Sequence, residues 1–166
     1  MDLDLGLLLL RVALGPMLFL HGWNKVYGGG GLTGTAGWFE GLGLRPGWLH
    51  ARLAAGTELT AGVLMSLGLL TGIAATAFVG LMLVATLTDH RGKGYFVFKG
   101  GWEYTVLVAT VAVGLAATGP GEWSLDHLLG LDLAGLAWAA VAAVGGSVAA
   151  AALLGVARRP IAAQQQ

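Results

Sequence analysis

The chain has 166 residues, of which 56% are hydrophobic and only 11% are charged, and its formal net charge at pH 7 is +0. Soluble domains carry roughly 25% charged residues, more than twice the share in this chain. The mean hydropathy of the chain is also high, at +0.75. The composition therefore excludes an ordinary soluble domain and predicts an all-α integral membrane protein, a single bundle of a few helices. Continuous apolar runs without strand alternation argue against a membrane β-barrel.

Cysteine is absent from the sequence. A chain without thiols has no disulfide chemistry, no cysteine-ligated iron–sulfur cluster and no thiolate metal site. Any redox activity would therefore depend on a bound cofactor or on a partner. Nucleic-acid binding is not expected either, because the few basic residues are scattered along the chain and are accounted for by membrane topology.

Apolar segments follow one another along the chain, each near the roughly 20 residues that cross a hydrocarbon layer as a helix. They are Leu5–Leu20, Leu53–Leu70, Gly72–Leu87, Tyr104–Thr118 and Leu133–Val156. The first is not expected to be a signal peptide, because acids stand where a basic region belongs and no cleavage site follows. We therefore predict a four-helix transmembrane domain over residues 1–132, an additional C-terminal transmembrane helix over 133–157 and a short basic and polar tail over 158–166.

The charges between the segments predict their orientation. If all five segments cross the membrane, the basic residues outside the spans lie on one side: Lys25, Arg45, Arg52, Arg91, Lys93, Lys99, Arg158 and Arg159. The opposite side carries acids only: Asp2, Asp4, Glu122, Asp126 and Asp132. The positive-inside rule then puts the N-terminus outside and the C-terminus in the cytoplasm.

The loop after the first span, GGGGLTGTAGWFEGLGLRPGW, contains a candidate interfacial helix. Thr35 is placed to cap a short amphipathic helix with Trp38, Phe39 and Leu42, which Arg45-Pro46 would end. Such a helix lies in the membrane interface with its aromatic face toward lipid. The alternative is a plain glycine-rich connector with interfacial aromatic residues.

The last span carries a stripe of small residues, which lets helices approach closely. Its members recur at every fourth position: Gly135, Ala139, Ala143, Ser147, Ala151 and Gly155. This stripe predicts a packing face, used either within the chain or for oligomerisation through this helix.

Charged side chains within the spans are expected to face the bundle interior. Helical side chains point toward the N-terminus of their own helix. Because the first predicted span runs inward and the second runs outward, Arg11, near the outer edge, leans outward and Glu58, near the inner edge, leans inward. We therefore predict an outer polar cluster of Arg11, Ser124 and Asp126, in which Arg11 pairs with Asp126 and binds the backbone of the GPGEWSLD segment. The predicted inner cluster contains His21, Lys25, Glu58 and Glu103. A direct Arg11–Glu58 pair is the alternative.

These clusters have two interpretations, and both stay open at this point. Buried pairs can fix helix register, or they can line a pocket that binds a ligand or relays protons. For such a pocket the candidate ligand contacts are Trp23, Trp102 and Tyr104, and a quinone is the candidate ligand; no other cofactor is evident. The histidines predict no metal or haem site, because no two share a span at ligand spacing: His21, His50, His90 and His127.

Four stretches of the sequence resemble the successive signatures of the DoxX family. They are LLLRVALGPMLFLHGWNKV, GTELTAGVLMSLGLLTG, GYFVFKGGWEY and GPGEWSLD, and together they extend from about Leu7 to Asp126. The resemblance implies a small four-helix protein of the bacterial inner membrane, with the fifth span as an extension. It implies these characteristic residues: Arg11, Gly15, Gly22, Lys25, Glu58, Gly62, Glu103, Gly119, Pro120, Ser124 and Asp126.

The resemblance also suggests a function, because DoxX-type proteins are associated with membrane redox complexes. It implies a non-catalytic membrane subunit that anchors or organises an oxidoreductase complex, with other proteins of that complex as partners. The first alternative is a quinone-binding oxidoreductase subunit that uses the intramembrane polar pocket. The second is a small-molecule or ion transporter, although no inverted repeat or pair of broken helices supports it.

Overall fold

The computed structural model describes residues 2–159, and most of them are helical. The helices are α1 (Asp2–Tyr27), α2 (Gly31–Gly41), α3 (Gly47–Leu67), α4 (Thr71–Leu87), α5 (Glu103–Thr118), α6 (Leu125–Leu129) and α7 (Leu136–Ala157). A single 3₁₀ turn, Val97–Lys99, precedes α5. No β-strand forms within this described part of the chain.

The long helices occupy the predicted apolar segments: α1, α3, α4, α5 and α7. Among residues 2–159, α1 and α7 are the two helices that are both long and apolar enough to cross a membrane by themselves. Helices α4 and α5 are apolar but shorter. The helical class is thereby confirmed, while the crossing of the membrane by all five segments, and their orientation, stay predictions.

Glycines allow α1 and α3 to pack backbone against backbone. A Cβ atom built on Gly15 would lie 2.7 Å from the carbonyl oxygen of Gly62, and one built on Gly62 would lie 2.6 Å from the backbone nitrogen of Phe19. Such distances leave no room for a side chain at either position. The buried stripe of α1 therefore runs along α3, and it includes Leu7, Arg11, Leu14, Leu18 and Gly22.

Helix α4 lies at the centre of the bundle, in contact with α3, α5 and α7. Its Phe78 is fully buried and belongs to one continuous apolar core. Side chains from α1, α3, α5 and α7 complete this core, among them Leu18, Met65, Val108, Leu115 and Ala142.

Helix α2 differs from its prediction in three respects. Thr35 lies inside the helix rather than at its cap, because α2 begins at Gly31, and the Thr35 hydroxyl donates to the Gly31 carbonyl at 3.0 Å. Phe39 does not face lipid but is buried with Leu44 and Ala157, whereas Trp38 stays exposed. The helix also ends at Gly41, before Arg45-Pro46.

Helix α7 contains a π-helical turn, Val141–Gly145, at the level where it meets α4. The residues it buries are Ala142, Gly146, Ala150 and Ala157. This face is not the small-residue stripe predicted from the sequence, whose Ser147, Ala151 and Gly155 are exposed. That stripe therefore remains a predicted oligomerisation face.

The C-terminal end of α7 is hydrogen-bonded to the loop between α2 and α3. The backbone nitrogen of Arg45 donates to the Ala157 carbonyl at 2.9 Å, and that of Arg159 donates to the Gly43 carbonyl at 2.8 Å. A β-bridge joins Leu44 to Arg158 between them. The rest of the predicted tail, residues 160–166, lies outside the described residues.

Candidate functional site

Arg11 is almost fully buried, with 1% of its surface exposed, and it binds backbone carbonyls. Its Nη1 donates to the carbonyl of Ser66 in the last turn of α3 at 3.1 Å, and its Nη2 donates to the carbonyl of Trp123. Carbonyls at the end of a helix lack intrahelical partners and carry partial negative charge. The guanidinium is therefore matched to the C-terminal end of α3 and to the segment after α5.

Asp126 is as buried as Arg11 and binds the backbone at the start of α4. Its two carboxylate oxygens accept the backbone N–H groups of Leu70 at 2.7 Å and Thr71 at 2.9 Å. Its own backbone nitrogen donates to the Gly68 carbonyl at 2.8 Å. An anion at a helix N-terminus is stabilised by the unpaired N–H groups and by the helix dipole.

Arg11, Ser124 and Asp126 thus gather in one place, and Arg11 binds the GPGEWSLD backbone as predicted, at the Trp123 carbonyl, but the predicted direct Arg11–Asp126 pair is wrong. Within residues 2–159 no hydrogen bond joins the two side chains, because each binds a different helix end. Ser124 caps α6: its Oγ donates to the Gly121 carbonyl at 2.6 Å and accepts from the His127 nitrogen at 3.2 Å.

The predicted inner end of the bundle contains a buried ion pair between α1 and α3. Lys25 Nζ lies 2.7 Å from both carboxylate oxygens of Glu58. The two side chains are 13% and 9% exposed, so water screens the pair little. The alternative Arg11–Glu58 pair does not form, because Glu58 is bound to Lys25 and Arg11 to carbonyls.

Glu103 lies apart from this pair, contrary to the prediction. It begins α5, and its Oε2 accepts the backbone N–H of Val97 at 3.1 Å. The residues before it turn back on themselves, so that the backbone nitrogen of Trp102 donates to the Gly94 carbonyl. Glu103 therefore closes a loop, and Trp102 packs edge-on against Tyr95 in that loop at 4.9 Å between ring centroids.

A large cavity adjoins the Lys25–Glu58 pair, with a volume of about 760 Å³, which is within the range of small-molecule sites. Side chains of α4 line it from Ile73 to Ala85, a rise of about 18 Å at 1.5 Å per residue. The opposite wall is α7, with Trp138, Val141 and Leu153. The cavity is therefore elongated and its walls are mostly apolar.

Polar groups concentrate at one end of this cavity. His21 and Lys25 of α1 lie one turn apart, and Glu58, His50 and Tyr104 line the same region. The Tyr104 hydroxyl donates to the Met17 sulfur at 3.0 Å, and His50 Nε2 lies 3.3 Å from the Arg45 carbonyl. The site therefore combines a long apolar wall with a small set of ionisable and hydrogen-bonding groups.

Trp23 is not part of this cavity, contrary to its predicted role as a ligand contact. It lies on the other face of α1, where it stacks on Phe19 and contacts Tyr27. These aromatic rings line a shallow, open groove between α1 and α3. Because Trp23 is two residues from His21, it points about 200° away on the same helix.

Two parts of the cavity were not predicted. His50 precedes the predicted span Leu53–Leu70 but lies in the first turn of α3, 8% exposed; the preceding Pro46, typical of a helix start, was the signal. The wall formed by α7 had no recognisable signal, because an apolar helix does not show which face it presents. Among residues 2–159 no group of three His, Asp or Glu side chains could hold a metal ion.

The sequence of this chain is similar to those of known proteins. The sequence profile of the DoxX family matches residues 6–91, from α1 into the loop after α4. “Putative oxidoreductase CatD” of Bacillus subtilis strain 168 is 35% identical over 123 residues, 74% of this chain and 86% of that protein. “Inner membrane protein YqjF” of Escherichia coli K12 is 30% identical over 127 residues, 76% of this chain and 93% of that protein. No solved structure is a significant match.

Proposed function

The chain belongs to the DoxX family of membrane proteins, as its four sequence signatures predicted, and from this premise we propose that it is a membrane subunit of an oxidoreductase assembly that binds a quinone-class ligand. The observation that carries the proposal is the elongated apolar cavity with the Lys25–Glu58 pair at its polar end. One relative is named “Putative oxidoreductase CatD”, which is consistent with a redox setting.

The proposal includes a five-span arrangement in the bacterial inner membrane, with the N-terminus outside. The charge distribution supports this orientation. The outer surfaces of the long helices support membrane contact, because large apolar side chains such as Leu9, Leu107 and Val148 are 61–63% exposed. A relative is named as an inner membrane protein.

A quinone fits this cavity better than a compact polar solute does. Its isoprenoid chain needs a long apolar surface, which α4 and α7 provide. Its ring oxygens need a few hydrogen-bonding groups at one end, where His21, Lys25 and Tyr104 lie. A cavity with mostly apolar walls and few polar groups is the usual form of such a ligand site.

The polar groups also suit proton exchange, which accompanies the reduction of a quinone. Glu58 and His21 are groups of the kind that transfer protons within protein sites. Because the sequence has no cysteine, we assign the supply of electrons to a redox partner of the assembly rather than to a thiol of this chain. In this proposal the chain binds and orients the ligand, and the partner reduces or oxidises it.

The first test measures ligand binding by thermal unfolding of the purified protein with a decyl-substituted ubiquinone. Ligand at a hundredfold excess over its Kd stabilises the folded state by about 2.7 kcal/mol, so the Tm should rise. Ala77→Phe fills the cavity wall and should abolish the rise, whereas Ala152→Phe, on the exposed face of α7, should keep it. A decyl alcohol, which lacks the ring, should give a smaller rise.

The outcomes separate the alternatives. If Ala77→Phe folds and still binds as the unmodified protein does, the ligand is not in this cavity. Ala85→Phe, another lining position, serves as a second variant if Ala77→Phe does not fold. Repeated absence of quinone in lipid extracts of the purified protein, with no shift on adding any, would rule out quinone binding.

The assembly is tested separately. If the chain is a subunit, purification at native expression in mild detergent should recover a stoichiometric redox partner. Recovery of this protein alone would contradict the subunit proposal while leaving the binding proposal to the measurement of Tm.

A further inference from the structure

The loop between α4 and α5 presents a run of apolar side chains to its surroundings. Tyr95, Phe96, Val97 and Phe98 are 52%, 51%, 49% and 77% exposed. Four consecutive exposed apolar residues are unfavourable in water, and patches of this kind mark contact sites for proteins or membranes. We call residues 89–102 the aromatic loop.

The aromatic loop is folded by its own hydrogen bonds, so its exposed rings are held in place. The backbone nitrogen of Gly101 donates to the Phe96 carbonyl at 2.9 Å, and that of Glu103 donates to the Tyr95 carbonyl at 2.9 Å. The rings of Phe96 and Phe98 stack at 5.3 Å between centroids. A surface that is already ordered loses little conformational entropy on binding.

Basic residues accompany these rings in the loop. Arg91, Lys93 and Lys99 lie in the aromatic loop, and Lys99 Nζ is 5.9 Å from the ring centre of Phe98. The two acids nearby are engaged: Asp89 binds Lys93 at 3.3 Å, and Glu103 accepts the Val97 N–H. Aromatic rings with adjacent basic groups match a membrane interface, where rings lie at headgroup depth and cations attract anionic lipid.

We propose that the aromatic loop inserts into the cytoplasmic leaflet and binds anionic lipid headgroups. The inference rests on the five-span arrangement proposed above, because the loop then joins two membrane-spanning helices, but it does not depend on the ligand of the cavity. The loop also borders that cavity, since His90 lines it and His90 Nδ1 lies 2.7 Å from the Gly100 carbonyl. Insertion of the loop places this end of the cavity at headgroup depth.

The test uses the absence of native cysteine to attach one environment-sensitive fluorophore. Phe98→Cys is labelled at the tip of the loop, and Asp132→Cys, exposed at the opposite end of the bundle, is the control. In vesicles containing phosphatidylglycerol, the label at position 98 should shift to the blue and be quenched by lipids with nitroxide on the acyl chain. Quenching should be about twofold or more weaker in phosphatidylcholine alone, or after R91Q, K93Q and K99Q together.

Two results would overturn the proposal. The first is that the label at position 98 emits like the label at position 132 and is not quenched by the nitroxide lipids. The loop would then lie in water, and its exposed rings would be available to a protein partner. Equal quenching in both kinds of vesicle means that anionic headgroups are not recognised. Topology is checked independently: an impermeant thiol reagent on intact cells should label Cys at position 132 and not at position 98.

Discussion

Arg11 and Asp126 bind opposite helix ends at one turn. Arg11 donates to the Ser66 carbonyl at the end of α3, and Asp126 accepts the N–H groups of Leu70 and Thr71 at the start of α4. Each charge thus lies where the helix dipole favours it. Because Arg11 also binds the Trp123 carbonyl, the two side chains together hold the segment after α5 over the α3–α4 turn.

The first prediction concerns this carboxylate. Asp126→Asn keeps the size of the side chain but leaves one acceptor oxygen for two backbone N–H groups. A buried donor without a partner costs about 1–3 kcal/mol, so the free energy of unfolding should fall by that amount. Unfolding of the detergent-solubilised protein measures it. Asp132→Asn, at an exposed carboxylate, is the matched control and should stay within about 0.5 kcal/mol.

A second prediction tests whether Arg11 and Asp126 act on separate helix ends. Arg11→Met removes the donor to the Ser66 and Trp123 carbonyls and should destabilise the protein by about 1–3 kcal/mol. The double variant with Asp126→Asn should be no more stable than the worse single variant, because the side chains do not bind each other. Recovery of stability in the double variant would instead support the direct ion pair expected from the sequence.

The third prediction concerns Lys25 and Glu58. Lys25→Met or Glu58→Gln alone leaves an unpaired buried group and should cost about 3–5 kcal/mol. The double variant should lose clearly less than the sum of the single losses, because it strands no charge. A double-mutant cycle on unfolding free energies measures the coupling, and additive losses would mean that the pair contributes no specific interaction.

The fourth prediction compares two glycines of α3. Gly62→Ala should destabilise by about 1–3 kcal/mol through overpacking, because its Cβ would lie 2.6 Å from the Phe19 nitrogen. A Cβ on Gly56 would meet nothing within 4 Å, so Gly56→Ala should stabilise by up to about 1 kcal/mol through helix propensity. Changes of the same sign in both variants would contradict the close contact of α1 with α3.

The five long helices could be predicted from the sequence because each is an apolar run bounded by glycine, proline or charged residues. The lean of Arg11 toward the N-terminal end of α1 could be predicted too, since it follows from helix geometry. The Ser66 carbonyl as a partner of Arg11 and the capping role of Asp126 could not, because they depend on how the α3–α4 turn meets segments more than fifty residues away.

The misplaced site residues have physical explanations as well. Glu103 was grouped with Glu58 because both lie near the same end of their spans, but residues 94–102 fold back and engage its carboxylate. The assignment of Trp23 to the same site as His21 was avoidable, since two residues that are two positions apart on a helix point about 200° apart. The packing face of α7 was not predictable, because of its π-helical turn. The small residues that are buried, Ala142, Gly146 and Ala150, each lie one position before the stripe predicted from the sequence.

The position of α7 has a consequence for biogenesis. Of the described helices it emerges from the ribosome after all the others, yet Val141, Ala149 and Leu153 form one wall of the cavity. In the five-span arrangement proposed above, the groove on α4 faces lipid until this helix inserts and its end pairs with the backbone of Gly43 and Arg45. The proposed ligand site would therefore be completed only at the end of the synthesis of the described helices.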